Sequence, residues 1–156
     1  MNKRHVSYQQ YQVLVERVIL AVRASAYQPD LVLGVSRGGL FLADALSRVL
    51  RLPMAVIAAS SYQEGAGTVQ GELKISASIA SVVPVCGNVL LVDDLVDSGN
   101  TLMRLCAHLT QMEPRITDLK TAVVWIKPTS VFQPDYAAEI LREDFWIIQP
   151  FESRDF

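Results

Sequence analysis

Near the start of the chain the apolar positions fall at helical intervals. Tyr11, Leu14, Val15, Val18, Ile19 and Val22 recur three or four residues apart and predict one apolar stripe on an otherwise polar helix. Ser7 stands before them as a candidate N-cap, and Pro29-Asp30 closes the segment. The period then changes. "LVLGV" (31–35) is a short apolar run rich in β-branched residues, "SRGG" follows as a glycine turn, and Leu42, Ala45, Leu46, Val49 and Leu50 return to helical spacing. "MAVIAAS" (54–60) predicts a second buried strand. The segment 61–71 has three glycines among small and polar residues and reads as a mobile loop. "ELKIS" (72–76), "VLLV" (89–92) and "TAVVWIK" (121–127) predict further strands, and Leu102, Leu105, Cys106 and Leu109 mark the buried face of a helix. Alternation places Trp125 opposite Ile126, in the core.

Strands that are apolar on both faces and alternate with amphipathic helices require a cover on each side. The expected fold class is therefore α/β, a mostly parallel sheet flanked by helices, in a single domain spanning 1–156. Ligands of such sheets bind beyond the carboxyl ends of the strands. Position alone thus nominates Ser36 to Gly39, the 61–71 loop, Asp93 to Thr101, and Lys127-Pro128.

Composition narrows the partners. The formal charge is -2 and no run of Lys or Arg occurs, which argues against nucleic acid and for a small ligand. Cys86 and Cys106 are 20 positions apart, with no CxxC motif or Cys/His cluster near them, and are expected to be reduced thiols in a cytoplasmic protein. His5 and His108 have no plausible metal partners. No apolar run approaches the roughly 18 residues of a membrane span, and the N-terminus lacks the apolar core of a signal peptide.

The chemistry concentrates in "VLLVDDLVDSGNTLMRL" (89–105). A strand, a turn of Ser98, Gly99, Asn100 and Thr101, and a helix start together offer free backbone N–H groups and the positive end of a helix dipole to a phosphate. The stretch is neither GxxxxGK[ST] nor GxGxxG. Asp93 and Asp94 come earlier, at the strand end, where carboxylates accept from sugar hydroxyls or hold Mg²⁺. A ligand carrying phosphate, diol and Mg²⁺ satisfies both halves, and phosphoribosyl pyrophosphate (PRPP) is such a ligand.

As a whole, "VLLVDDLVDSGNT" resembles the signature of type I phosphoribosyltransferases. Along the chain, "VSRGGL" (35–40) is similar to the family's pyrophosphate loop, "SSY" (60–62) to the start of its catalytic loop, "IKP" (126–128) to its purine-contacting lysine, and "WIIQPFE" (146–152) to its C-terminal hood. The order is most similar to that of the bacterial xanthine-guanine phosphoribosyltransferases, over residues 30–152.

The resemblance implies purine salvage: the 5-phosphoribosyl group of PRPP passes to N9 of guanine, xanthine or hypoxanthine, giving the nucleoside 5′-monophosphate and pyrophosphate. It implies Asp97 as the group handling the proton at purine N7, Asp93 and Asp94 as ribose and Mg²⁺ ligands, and Asp97, Ser98, Gly99, Asn100 and Thr101 as the ribose-phosphate turn. Pyrophosphate falls to Ser36, Arg37, Gly38, Gly39, Ser61 and Tyr62, with Lys74 flanking the closing loop. The peptide after Arg37 is expected to be strained or cis. The base falls to Lys127, Trp146 and Ile147, under a small hood formed mainly by about 128–156. A homo-oligomer, dimer or tetramer, is implied as well. Two alternatives stay open: a non-catalytic regulator that keeps the nucleotide site, and a phosphoribosyltransferase for another base.

Overall fold

The computed structural model describes residues 2–61 and 72–152, with only the backbone given for Ser61. Tyr62 and most of the expected 61–71 loop therefore lie outside the described residues.

Among the described residues, nine strands and three helices follow the order β1 (Asn2–His5), α1 (Tyr8–Ala24), β2 (Leu31–Ser36), α2 (Leu40–Leu50), β3 (Met54–Ser61), β4 (Leu73–Ile75), β5 (Gly87–Val92), β6 (Leu95–Val96), α3 (Asn100–Met112), β7 (Ile116–Ile126), β8 (Tyr136–Ile140) and β9 (Phe145–Ile148). The principal sheet runs β4-β3-β2-β5-β7, with β8 on the far edge of β7. Its pairings are parallel except where β4 meets β3. β6 continues the line of β5 along β7: Val92 pairs with Ala122, and Leu95 with Trp125.

Helix α1 starts where the sequence places it. Ser7 accepts from the backbone N–H of Gln10, and the Gln10 side chain accepts from the backbone of Ser7, a reciprocal capping box. Its buried residues are the six read from periodicity. In α3 Leu102, Leu105 and Leu109 are buried, again as spaced. In α2 the buried set is Leu42, Ala43 and Leu46, whereas Val49 is exposed. The stripe is rotated toward Ala43 because Gly34 has no side chain there: a Cβ on Gly34 would stand 2.9 Å from that of Ala43.

Alternation along the strands feeds two cores. Val32, Leu90, Val92 and Ala122 pack with α1 and α2. Leu31, Leu33, Val35, Val89, Leu91 and Val123 pack with α3. Trp125 is fully buried on the α1 side and Ile126 on the other, as alternation predicts. Val124, however, shares the Trp125 side. The alternation slips where the carbonyl of Asp94 accepts from both Val124 N–H, at 2.9 Å, and Trp125 N–H, at 3.1 Å, with no residue inserted in the register.

The stretch expected to form the hood divides. β8 belongs to the principal sheet, and β9 instead forms a two-stranded parallel sheet with β1, from the opposite end of the sequence. "NKRH" carries no apolar alternation, so β1 is set by its partner and not by its own pattern.

Candidate active site

All parallel strands of the principal sheet present their carboxyl ends on one side, and the chain turns away from β2 in opposite directions to reach β3 and β5. This switch point is where an open α/β sheet leaves a crevice. Gly34 pairs with Val92, so the turn after β2 lies against the acids after β5.

In the first turn Gly39 donates to the carbonyl of Val35 at 3.0 Å and caps α2 without a side chain. A Cβ on Gly39 would lie 2.4 Å from the carbonyl oxygen of Val92, and one on Gly38 would strike the carboxylate of Asp94. Gly39 is thus needed for close backbone approach, and Gly38 makes room for the Asp94 side chain. A cis peptide is present, but it joins Ser36 to Arg37, one bond earlier than expected. Arg37 is exposed and borders two cavities. One, of about 470 Å³, is lined by Tyr8, Gly38, Phe41, Asp94, Phe151 and Glu152. The other, of about 450 Å³, includes Ser36, Ser60 and Lys74.

Asp93 and Asp94 occupy the break between β5 and β6, and their side chains part. Asp93 lines a small cavity with Asp97, Ser98, Gly99 and Thr101, while Asp94 opens toward Arg37 and Gly38. Asp93 Oδ1 accepts from the Asp94 N–H at 2.9 Å. Burial first, and the charge of Asp94 second, push the Asp93 carboxyl well above the ordinary carboxylate range. Asp94 accepts a short hydrogen bond from the side-chain amide of Gln149.

No group of three or more His, Cys, Asp or Glu that could cage a metal gathers among the described residues. Asp94 alone faces the larger cavity, and a single carboxylate there is compatible with Mg²⁺, which keeps few protein ligands and completes its shell with water and substrate oxygens.

The second turn is built around Gly99, whose φ of 90° is the left-handed conformation that favours glycine. A Cβ there would meet that of Phe132 at 2.5 Å. Ser98 Oγ accepts from the Asn100 N–H at 3.3 Å, and the Ser98 carbonyl accepts from Val131 N–H at 3.0 Å, so residues 130–132 brace the turn from outside. Gly99 gives α3 no side-chain cap, so the helix start keeps backbone N–H groups of the kind that bind anions.

Lys127 leaves the end of β7 with its side chain only 4% exposed, donating to Asp97 at 3.3 Å and to Asp144 at 3.0 Å. Burial alone would lower its pKa. The hydrogen bond to Asp144 and the charge and hydrogen bond of Asp97 outweigh that, and the pKa is raised, so the ammonium keeps its charge. Thr129 also donates to Asp97, at 3.4 Å.

The turns, the paired acids, Asp97 and Lys127 thus gather along one sheet edge. Trp146 and Ile147 lie on β9, two and three positions after Asp144. Trp146 is 56% exposed, and the Ile147 side chain is buried in the α1-side core. Ser61 ends β3, paired with Leu73. Asp144 and Gln149 were not singled out from the sequence. Gln149 lies within the quoted "WIIQPFE", but neither residue has a spacing that marks it.

Residues 7–155 match the phosphoribosyl transferase domain family. The chain belongs to that family. A xanthine-guanine phosphoribosyltransferase of Idiomarina loihiensis is 31% identical over 122 residues, which are 78% of this chain and 70% of that protein. Among solved structures, a purine phosphoribosyltransferase from Pyrococcus horikoshii is similar at a TM-score of 0.79 and 27% identity, covering 97% of this chain and 95% of that one. A xanthine-guanine-hypoxanthine phosphoribosyltransferase of Helicobacter pylori has the same TM-score and identity, with coverage of 97% and 94%.

Proposed function

We propose that this enzyme transfers the 5-phosphoribosyl group of PRPP to N9 of a 6-oxopurine, releasing pyrophosphate and serving purine salvage. The observation that carries the base class is the placement of Lys127 and Asp97 side by side, 3.3 Å apart, next to the phosphate turn. A 6-oxopurine offers an oxo acceptor at C6 beside N7, whose proton needs an acceptor. Lys127 supplies the donor and Asp97 the acceptor.

The other residues take complementary roles. Amides and hydroxyls of Ser98 to Thr101 hold the 5′-phosphate at the start of α3, and Asp93, facing the same cavity, takes a ribose hydroxyl. Arg37, Gly38 and Gly39, with Ser36, Ser61 and Tyr62, hold the departing pyrophosphate, whose negative charge grows as the glycosidic bond breaks. Asp94 is the principal Mg²⁺ ligand, with Asp93 beside it. Bound Mg²⁺ would neutralise charge between that carboxylate and the pyrophosphate. Trp146 covers the base and the Ile147 backbone meets its edge. The resemblance also supports a homo-oligomer working in the cytoplasm.

The test is release of pyrophosphate from PRPP and Mg²⁺ in the presence of guanine, xanthine, hypoxanthine or adenine. Turnover with at least one 6-oxopurine is expected. Nucleotide binding without turnover on any base would make the protein a regulator on the same fold.

A further inference from the structure

Among the described residues Lys127 has two carboxylate partners, and only one belongs to the base-handling pair just described. Asp144 lies outside it, in the segment between β8 and β9. It nevertheless makes the shorter contact, 3.0 Å against 3.3 Å for Asp97. Its side chain is also the less exposed of the two, 41% against 65%, and so the less screened by water. The backbone fixes the other end of the lysine, since Lys127 N–H donates to the Val96 carbonyl at 2.9 Å and the Lys127 carbonyl accepts from Ser130 N–H at 3.1 Å.

An ammonium has three donors. With one held by Asp144 and one by Asp97, a third is left for an incoming acceptor. If Asp144 were lost, the single remaining charge partner would draw the ammonium onto Asp97. That would shorten its reach to the base and weaken Asp97 as a proton acceptor at the same time. We infer that Asp144 is a specificity-positioning residue: it holds the Lys127 ammonium between the base's 6-oxo group and Asp97, and so sets the preference for 6-oxopurines without touching the base. The inference rests on the base-reading role proposed for Lys127 and extends it to a residue on the opposite side of the ammonium.

Asp144→Asn keeps the shape and removes the charge, at a position exposed enough for the chain to fold. The kinetics of guanine and adenine, measured for wild type, Asp144→Asn, Asp144→Glu, Lys127→Ala and the double variant, form a double-mutant cycle. For Asp144→Asn, KM for guanine should rise by about 5- to 50-fold and the guanine-over-adenine ratio of kcat/KM should fall by a similar factor, within the range expected for one charged hydrogen bond. KM for PRPP should stay within about twofold of wild type. Asp144→Glu should recover part of the ratio, and in the Lys127→Ala background Asp144→Asn should change the ratio no further. A ratio unchanged by Asp144→Asn, or a loss that persists undiminished without Lys127, would overturn the inference while leaving the transferase reading intact. Wild-type protein that turns over no purine at all would remove both.

Discussion

The side-chain amide of Gln149 donates to Oδ2 of Asp94, joining the segment after β9 to the break between β5 and β6. Gln149 is itself only 3% exposed, and its backbone N–H donates to Glu152 at 2.9 Å. Phe151, two residues on, stacks on Phe41 of α2 with ring centroids 4.2 Å apart. The carboxylate beside Gly38 is therefore already engaged by a neutral donor, which brings it no positive charge.

A polyanionic substrate brought against that charge needs a divalent cation between them. Turnover should stop in excess EDTA and return on adding Mg²⁺ or Mn²⁺. Full activity in EDTA would remove the metal from the reading.

Asp97 is exposed and, among the described residues, is held by Lys127 and Thr129. Asp97→Asn keeps its volume and removes the base. It should lower kcat by about 10²–10⁴ and leave nucleotide affinity, measured by calorimetry, near wild type. Activity within about threefold of wild type would leave Asp97 as no more than a neighbour of the turn.

Base choice should follow Lys127. Adenine presents an amine where the 6-oxopurines present an acceptor, so donor would face donor, and kcat/KM for adenine should fall at least about 10²-fold below the best 6-oxopurine. Lys127→Ala should erase most of that gap. Steady-state kinetics with all four bases decide it, and discrimination untouched by the substitution would show that the lysine does not read the base.

Asp93 gives a prediction with a sign. Its pKa in the folded chain is raised, so the folded state binds more protons than the unfolded one, and stability falls as pH rises from the unfolded value of about 3.9 through the raised folded one. Asp93→Asn should therefore raise Tm at neutral pH while impairing turnover, and its advantage should shrink toward pH 4. Thermal melts of both proteins across pH check this, and a variant less stable at neutral pH would contradict it.

Gly39→Ala tests the close approach of the two turns. Its Cβ would meet the Val92 carbonyl oxygen at 2.4 Å and the Asp93 Cα at 2.8 Å, both backbone atoms that cannot swing aside. The expected loss is about 1–3 kcal/mol, or about 2–4 °C in Tm for each kcal/mol. An unchanged melting temperature would mean that the turn can open.

What could be read from the sequence was whatever repeats or stands in a contiguous motif. The six buried positions of α1 and the strand-turn-helix around Asp97 are of that kind, because each is fixed by near neighbours. β1 and β9 pair across the length of the chain, and "NKRH" has no pattern of its own, so their sheet was not legible. Neither was the rotation of α2 toward Ala43, which depends on the missing side chain at Gly34. Asp144 and Gln149 escaped for the same reason. An acid or an amide gains meaning only from the partner that the fold brings to it, here Lys127 and Asp94.

The shared carbonyl of Asp94 bears on how this site can be altered. The principal sheet crosses the catalytic edge on a main-chain oxygen, the Asp94 carbonyl, that serves two amides of β7. The side chain at 94 takes no part in the strand ladder. The strand ladder and the contact with Gln149 are thus carried by different atoms of one residue, and position 94 is a socket: exchanging its acid for an amide or a hydroxyl should alter the Gln149 contact while the strands on either side stay joined.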